Sequence, residues 1–224
     1  MTGIQRLSDL DDADLREVYA APRADWFRLN FVVTVDGAAQ GPDGLSKSIN
    51  NPADKRVFLT LRRMADVLVV GAGTIRAEAY RPNPKPLVVV TRSGSVPPSL
   101  RAGDLSAVMV ATGERAPALA ETRELLGEDR VLVLGEDEPD LPRLVAELHR
   151  RGYRQLLSEG GPQLAGDLLA HGLLDEVCLT TVPTFIAGDQ LRMATGTQVQ
   201  VPAHLHSLVR QDDTLLARWF LERG

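Results

Sequence analysis

At 224 residues, 44% of them hydrophobic and 25% charged, the chain has the balance of a globular protein and not of a disordered or fibrous one. A net charge of −5 argues against a surface built to neutralise nucleic-acid phosphates, and a single cysteine, Cys178, excludes an intramolecular disulfide and a cysteine-based zinc site. Only 4% of the residues are aromatic, so Val, Leu, Ala and Ile must fill the core, which favours a parallel sheet covered by helices.

Residues 8–20 read as an acidic, capped helix with Asp9, Asp11, Asp12, Asp14 and Glu17 on a solvated face. Residues 1–18 contain no apolar run of signal-peptide length, and no stretch of the chain approaches the roughly 20 apolar residues of a membrane span. A reduced, cytoplasmic protein with no membrane or nucleic-acid partner is expected. From Phe27 a β-branched run at 29–35 is stopped by Asp36-Gly37, and a glycine-rich loop leads to Asn51. Pro52 at a first helical position, capped by Asn50 or Asn51, opens a helix to about Ala65. Strands are expected at 67–70, 87–91, 107–111, 131–134 and 155–158, and helices at 116–126, 141–151 and 162–171. Near-continuous apolar strands alternating with helices imply an α/β domain with a mainly parallel sheet. Runs at 205–210 and 215–221 flank the polar turn Gln211-Asp212-Asp213-Thr214, which suggests a C-terminal antiparallel hairpin. With no repeat and no linker, the expected organisation is a single domain over 1–224, with 1–25 as an N-terminal helical extension.

Two glycine loops carry the clearest chemistry. The strand at 67–70 runs into Gly71-Ala72-Gly73-Thr74, and the strand at 155–158 runs into Glu159-Gly160-Gly161-Pro162 with Leu164 beyond. Each is either a tight strand-to-helix turn or a backbone cradle for an anion. The first departs from the dinucleotide fingerprint, because Arg76 stands where the third glycine belongs. Two such loops at the carboxyl edge of one parallel sheet suit a pyrophosphate. The next strand ends in Thr91-Arg92-Ser93 in place of an acid for the ribose hydroxyl; a guanidinium between two hydroxyls favours a 2′-phosphate, hence NADPH over NADH. The alternative is an exposed basic turn.

Taken in order, residues 30–37 (with Thr-Val-Asp-Gly), 44–49 (Gly-Leu-Ser-Lys-Ser-Ile), Arg62, 65–74 and 158–164 resemble the pyrimidine reductase family of riboflavin biosynthesis, over most of the chain from Trp26 to about Phe185. The resemblance implies a dihydrofolate-reductase-like fold. It assigns Gly71, Gly73, Thr74, Gly160 and Gly161, with Ala72 and Leu164 beside them, to NADPH, and Thr91, Arg92 and Ser93 to its adenosine end. Asp36 would lie near the nicotinamide and the substrate, Ser46 and Arg62 would hold the substrate's phosphate, and Glu159 would be a substrate-binding carboxylate. Asp36 and Glu159 are thereby candidates for orienting the substrate amine or relaying a proton. Locally, Asp36 also fits the first residue of an Asp-Gly turn, and Glu159 a helix amino terminus. Two positions depart from the family: Asn30 replaces a lysine and Ala79 an aspartate, both in the substrate pocket.

The family's usual deaminase partner needs a Cys-x-x-Cys zinc signature, which one cysteine cannot supply, so a stand-alone reductase is expected. No metal site is expected: His204 and His206 share a strand face without a carboxylate, His149 and His171 sit near helix ends, and Cys178 packs as a small hydrophobe. The expected reaction is hydride transfer from NADPH to C1′ of a ribosylamino-pyrimidinone phosphate, opened to its imine, by a homodimer joined through its terminal strands. Reduction of a pterin such as dihydrofolate, and non-catalytic NADPH binding, are the alternatives.

Overall fold

The apolar runs of the sequence become strands because they are buried on both faces. The computed structural model describes residues 4–222, whose strands are β1 (Gln5–Arg6), β2 (Trp26–Thr34), β3 (Val67–Gly71), β4 (Leu87–Val90), β5 (Val108–Thr112), β6 (Val131–Val133), β7 (Gln155–Ser158), β8 (Glu176–Val182), β9 (Ala203–Gln211) and β10 (Thr214–Leu221). They form one sheet in the order β1-β9-β10-β8-β2-β7-β3-β4-β5-β6. From β8 to β6 every neighbouring pair is parallel, and β10 runs antiparallel to both β8 and β9. The mainly parallel sheet and its terminal hairpin are those expected from the sequence.

The helices are α1 (Asp12–Val18), α2 (Pro52–Met64), α3 (Ala72–Ala77), α4 (Pro98–Arg101), α5 (Leu119–Leu126), α6 (Leu141–Arg150) and α7 (Pro162–Ala170). In β3, Leu68 and Val70 face a core made with Val57 and Leu61 of α2 and Ile75 of α3, whereas Val67 and Val69 face Leu144 and Leu148 of α6 and Leu164 and Leu168 of α7. That double burial explains why the strand reads as a continuous apolar run without alternation.

The first helix is shorter than expected. Asp11 caps it, accepting from the amides of Ala13 and Asp14 at 2.7 and 2.9 Å while Asp14 returns the favour to the Asp11 amide, so helical geometry cannot start earlier. The hairpin turn is tighter than expected, with only Asp212 and Asp213 between the strands and Asp212 at φ 51°.

Within residues 4–25 the chain packs against the body of the domain. Leu15 and Tyr19 are fully buried, and β1 pairs with β9. A buried charge cluster fastens it. Glu176 of β8 accepts from Arg28 Nε (2.8 Å) and Trp26 Nε1 (2.6 Å) on Oε2, and from Arg218 Nε (2.6 Å) and the Cys178 thiol (3.1 Å) on Oε1. Arg28 and Arg218 in turn donate to the carbonyls of Tyr19 (2.5 Å) and Ala20 (3.1 Å). Cys178 is buried as expected, with burial raising its thiol pKa, but it also joins this polar cluster.

Candidate active site

Parallel pairing brings the two glycine loops together. β3 lies between β7 and β4, with Val69 opposite Ser158 and Gly71 opposite Val90, so three strand ends stop at one edge of the sheet. The Gly71 amide donates to the Gly160 carbonyl at 2.7 Å, which stitches one loop to the other. Gly160 has φ +77°, and a Cβ there would sit 2.4 Å from the Phe31 ring, so only glycine fits. The Gly160–Gly161 peptide is cis. A Cβ on Gly161 would lie 2.4 Å from Thr74 Oγ1, whereas around Gly73 there is open space.

These loops form one wall of a cleft of about 680 Å³, within the usual range for small-molecule sites. Gly71, Gly73, Thr74, Gly161 and Leu164 line it, and so do Asn30, Ser46, Arg62 and Glu159. The structure thus gathers most of the residues singled out from the sequence. Ala72 is buried and Gly160 packs against Phe31. Thr91, Arg92 and Ser93 follow β4, beside the β3 loop but outside the cleft lining. Arg92 is exposed, and the Thr91 and Ser93 hydroxyls are 3.1 Å apart.

The structure adds geometry at three of the expected positions. Asp36 lies outside the cleft lining. Its carboxylate accepts from the Thr34 hydroxyl and from the amides of Ala187 (2.7 Å) and Ile186 (3.0 Å), and those bonds, led by Thr34, hold its pKa below the ordinary carboxylate range. It fastens the long segment between β8 and β9 to the end of β2. Arg62 and Glu159, which the resemblance assigns to different parts of the substrate, are bonded to each other. Arg62 Nε and Nη2 reach the two Glu159 oxygens at 2.5 and 2.6 Å, the Tyr80 hydroxyl adds a bond of 2.7 Å, and the guanidinium packs over the rings of Phe58 and Tyr80. Burial pulls the Arg62 pKa down, but the Glu159 carboxylate outweighs it, and the net shift is upward. Burial and the same carboxylate push the Tyr80 phenol well above its ordinary value.

Ala79, finally, is exposed at φ 49° and does not line the cleft. Its neighbour Glu78 does, accepting from the Ser46 amide at 2.7 Å, so a carboxylate is present on that wall despite the departure at position 79. Glu78, Asp54, Lys47, Tyr80 and Arg81 are lining residues that the sequence reading missed. Asp54 carried a weak signal only, since an acid in the first turn of a helix is already accounted for by the helix dipole.

Residues 25–216 match the family described as RibD C-terminal domain. Over 179 residues the chain is 31% identical to the 2,5-diamino-6-ribosylamino-4(3H)-pyrimidinone 5′-phosphate reductase of Archaeoglobus fulgidus, covering 71% of this chain and 81% of that one. Its fold is similar to that of a pyrimidine reductase-like protein from Corynebacterium diphtheriae, with a TM-score of 0.79, 20% identity, and 94% of this chain and 99% of that one covered. A more distant likeness in fold is to the dihydrofolate reductase of Enterococcus faecalis, solved as a complex with NADP(H), with a TM-score of 0.51, 14% identity, and 88% and 96% of the two chains covered.

Proposed function

The chain belongs to the RibD C-terminal domain family, and on that premise we propose that it is an NADPH-dependent reductase acting on a ribosylamino-pyrimidinone phosphate. The observation that carries this reading is the stitched pair of glycine loops at the carboxyl ends of β3 and β7, opening on a cleft with a polar far wall. The cradle fits a dinucleotide, because the space over Gly73 is open and a side chain there would fill it. When bound, NADPH supplies the hydride that reduces C1′ of the ring-opened substrate.

The protein's part is position and charge. Gly73, Thr74 and Gly161 receive the pyrophosphate by leaving room for it. Arg92, flanked by Thr91 and Ser93 one strand further along, receives the 2′-phosphate. Phe31, Leu164 and Leu191 give the cleft an apolar lining that excludes water, and Asn30 and Ser46 offer neutral hydrogen-bonding groups on the substrate side. Lys47 and Arg81 line the same cleft and provide positive charge for a phosphate beside the committed Arg62.

The test is oxidation of NADPH on addition of 2,5-diamino-6-ribosylamino-4(3H)-pyrimidinone 5′-phosphate, with cofactor titration in parallel. Gly73→Val is expected to weaken NADPH binding by about tenfold or more while the chain stays folded, since no atom lies within 4 Å of the added Cβ. An unchanged titration would show the loop to be a structural turn alone. Arg92→Ala is expected to weaken NADPH by about tenfold, the size of a charge-assisted phosphate contact, and to leave NADH binding as it was. Equal affinity of the parent protein for the two cofactors would overturn the assignment of Arg92.

A further inference from the structure

One carboxylate in the cleft is left idle by this reading. Asp54 is the third residue of α2, lines the cleft and is only 2% exposed. An acid at that helix position ordinarily turns back to the capping residue's amide, as Asp14 does to Asp11 at 2.9 Å in α1. Asp54 does not. Its Oδ2 accepts from the side-chain amide of Asn50, and its buried Oδ1 makes no hydrogen bond of normal geometry. Among the described residues no Lys or Arg forms an ion pair with it. Burial raises its pKa, opposed by the nearby Thr180 hydroxyl of β8. The sheet residues on this side, Asn30 and Thr180, are neutral, so the cleft-facing carboxylate has no ion-pair partner on the sheet.

A buried acceptor without a donor is costly, and a native structure that keeps one calls for a partner from outside the chain. An ionised carboxylate has acceptors only, and it discriminates between ring edges accordingly. A pyrimidinone with an amino group at C2 presents that amino group and an adjacent ring N–H, which are two donors. The corresponding pyrimidinedione has a carbonyl at C2, whose lone pairs would face the carboxylate. Asn50 is exposed on the loop before α2, so its amide can turn away and release Oδ2 for the second bond.

We infer that Asp54 receives the 2-amino edge of the substrate ring and thereby makes this chain selective for the aminopyrimidinone over the pyrimidinedione. The inference rests on the reductase reading above and adds the determinant of ring choice to it.

Its test compares kcat/KM for 2,5-diamino-6-ribosylamino-4(3H)-pyrimidinone 5′-phosphate with that for the counterpart in which the 2-amino group is a carbonyl, using the parent protein and Asp54→Asn. The parent is expected to favour the amino ring by about tenfold or more, because a site built for a donor rejects a ring lacking it. The Asn variant can turn an N–H toward a carbonyl, so it is expected to lose about tenfold on the amino ring and to narrow or invert the preference, with NADPH affinity unchanged. Equal use of both rings by the parent, or an undiminished preference in the variant, would remove Asp54 from ring recognition and leave the reductase reading standing. Turnover of neither ring by the parent would overturn the reductase reading, and the inference with it. Equal use of both rings by the parent overturns the inference even if Asp54→Asn does not fold.

Discussion

Glu176→Gln is expected to cost the folded chain about 3–5 kcal/mol, because it leaves two buried guanidinium groups without their counter-charge. Arg28 and Arg218 are 4% and 1% exposed at the side chain and Glu176 is 0% exposed, so water cannot replace the lost partner. Burial by itself would raise the Glu176 pKa. The hydrogen bond from Arg218 and the charges of Arg28 and Arg218 more than reverse that, and hold it at about 2 against an ordinary 4.5. A depression of that size is worth roughly 3 kcal/mol, in line with the mutational expectation. Since the folded pKa is the lower one, this stability is fully present above about pH 4.5 and is lost as pH falls toward about 2. Urea unfolding at neutral pH and at steps through that acid window should show the parent weakening on acidification. The Gln variant should be weak from the start and lack this group's share of the pH dependence. A variant within about 1 kcal/mol of the parent at neutral pH would show that the cluster is neutral to stability, as some buried ion networks are.

The same cluster shows which parts of the molecule could be read from its sequence. β3 and β7 announced themselves as apolar runs ending in glycine, because burial on both faces and close backbone approach leave a local imprint. The pairing of the two loops followed from parallel topology. Partners distant in sequence leave no such imprint. Arg62 meets Glu159 from 97 residues away and Asp36 meets Ala187 from 151, and neither pairing has a periodicity or a spacing to betray it. Asp36 therefore reads either way, because Asp-Gly at a strand end looks the same whether the side chain faces a ligand or a neighbouring loop. β1, two exposed residues long, and α4, four residues long in all, are too short to impose a pattern. Asp54 was invisible for a different reason: what matters about it is a hydrogen bond it does not make.

Arg62→Ala is expected to lower stability as well as substrate affinity, and the balance between the two decides what the arginine is for. Glu159 is 3% exposed at its side chain and Arg62 25%, so the pair sits at the cleft wall with its carboxylate half fully desolvated. Removing the arginine leaves that carboxylate with the Tyr80 hydroxyl alone. The full cost of breaking a buried pair is about 3–5 kcal/mol, and partial exposure of Arg62 reduces it to about 2 kcal/mol. The guanidinium also gives up its stacking on Phe58 and Tyr80, which adds to the loss. If the pair is structural, Glu159→Gln in the Arg62→Ala background should restore part of the stability, since a neutral amide tolerates burial better than an unpaired charge. The double-mutant cycle should then give a coupling of about 1–2 kcal/mol in unfolding. A substrate phosphate that recruits Arg62 would act differently: Arg62→Ala would raise KM for the phosphorylated substrate, spare its dephosphorylated analogue, and unfold at the same urea concentration as the parent. We expect the first pattern to dominate, because the Nε–Nη2 edge of the guanidinium already makes its bidentate contact with Glu159. Full parental stability with a raised KM would mean that the bidentate pair yields to the ligand, and would return Arg62 to the phosphate site that the family resemblance gives it.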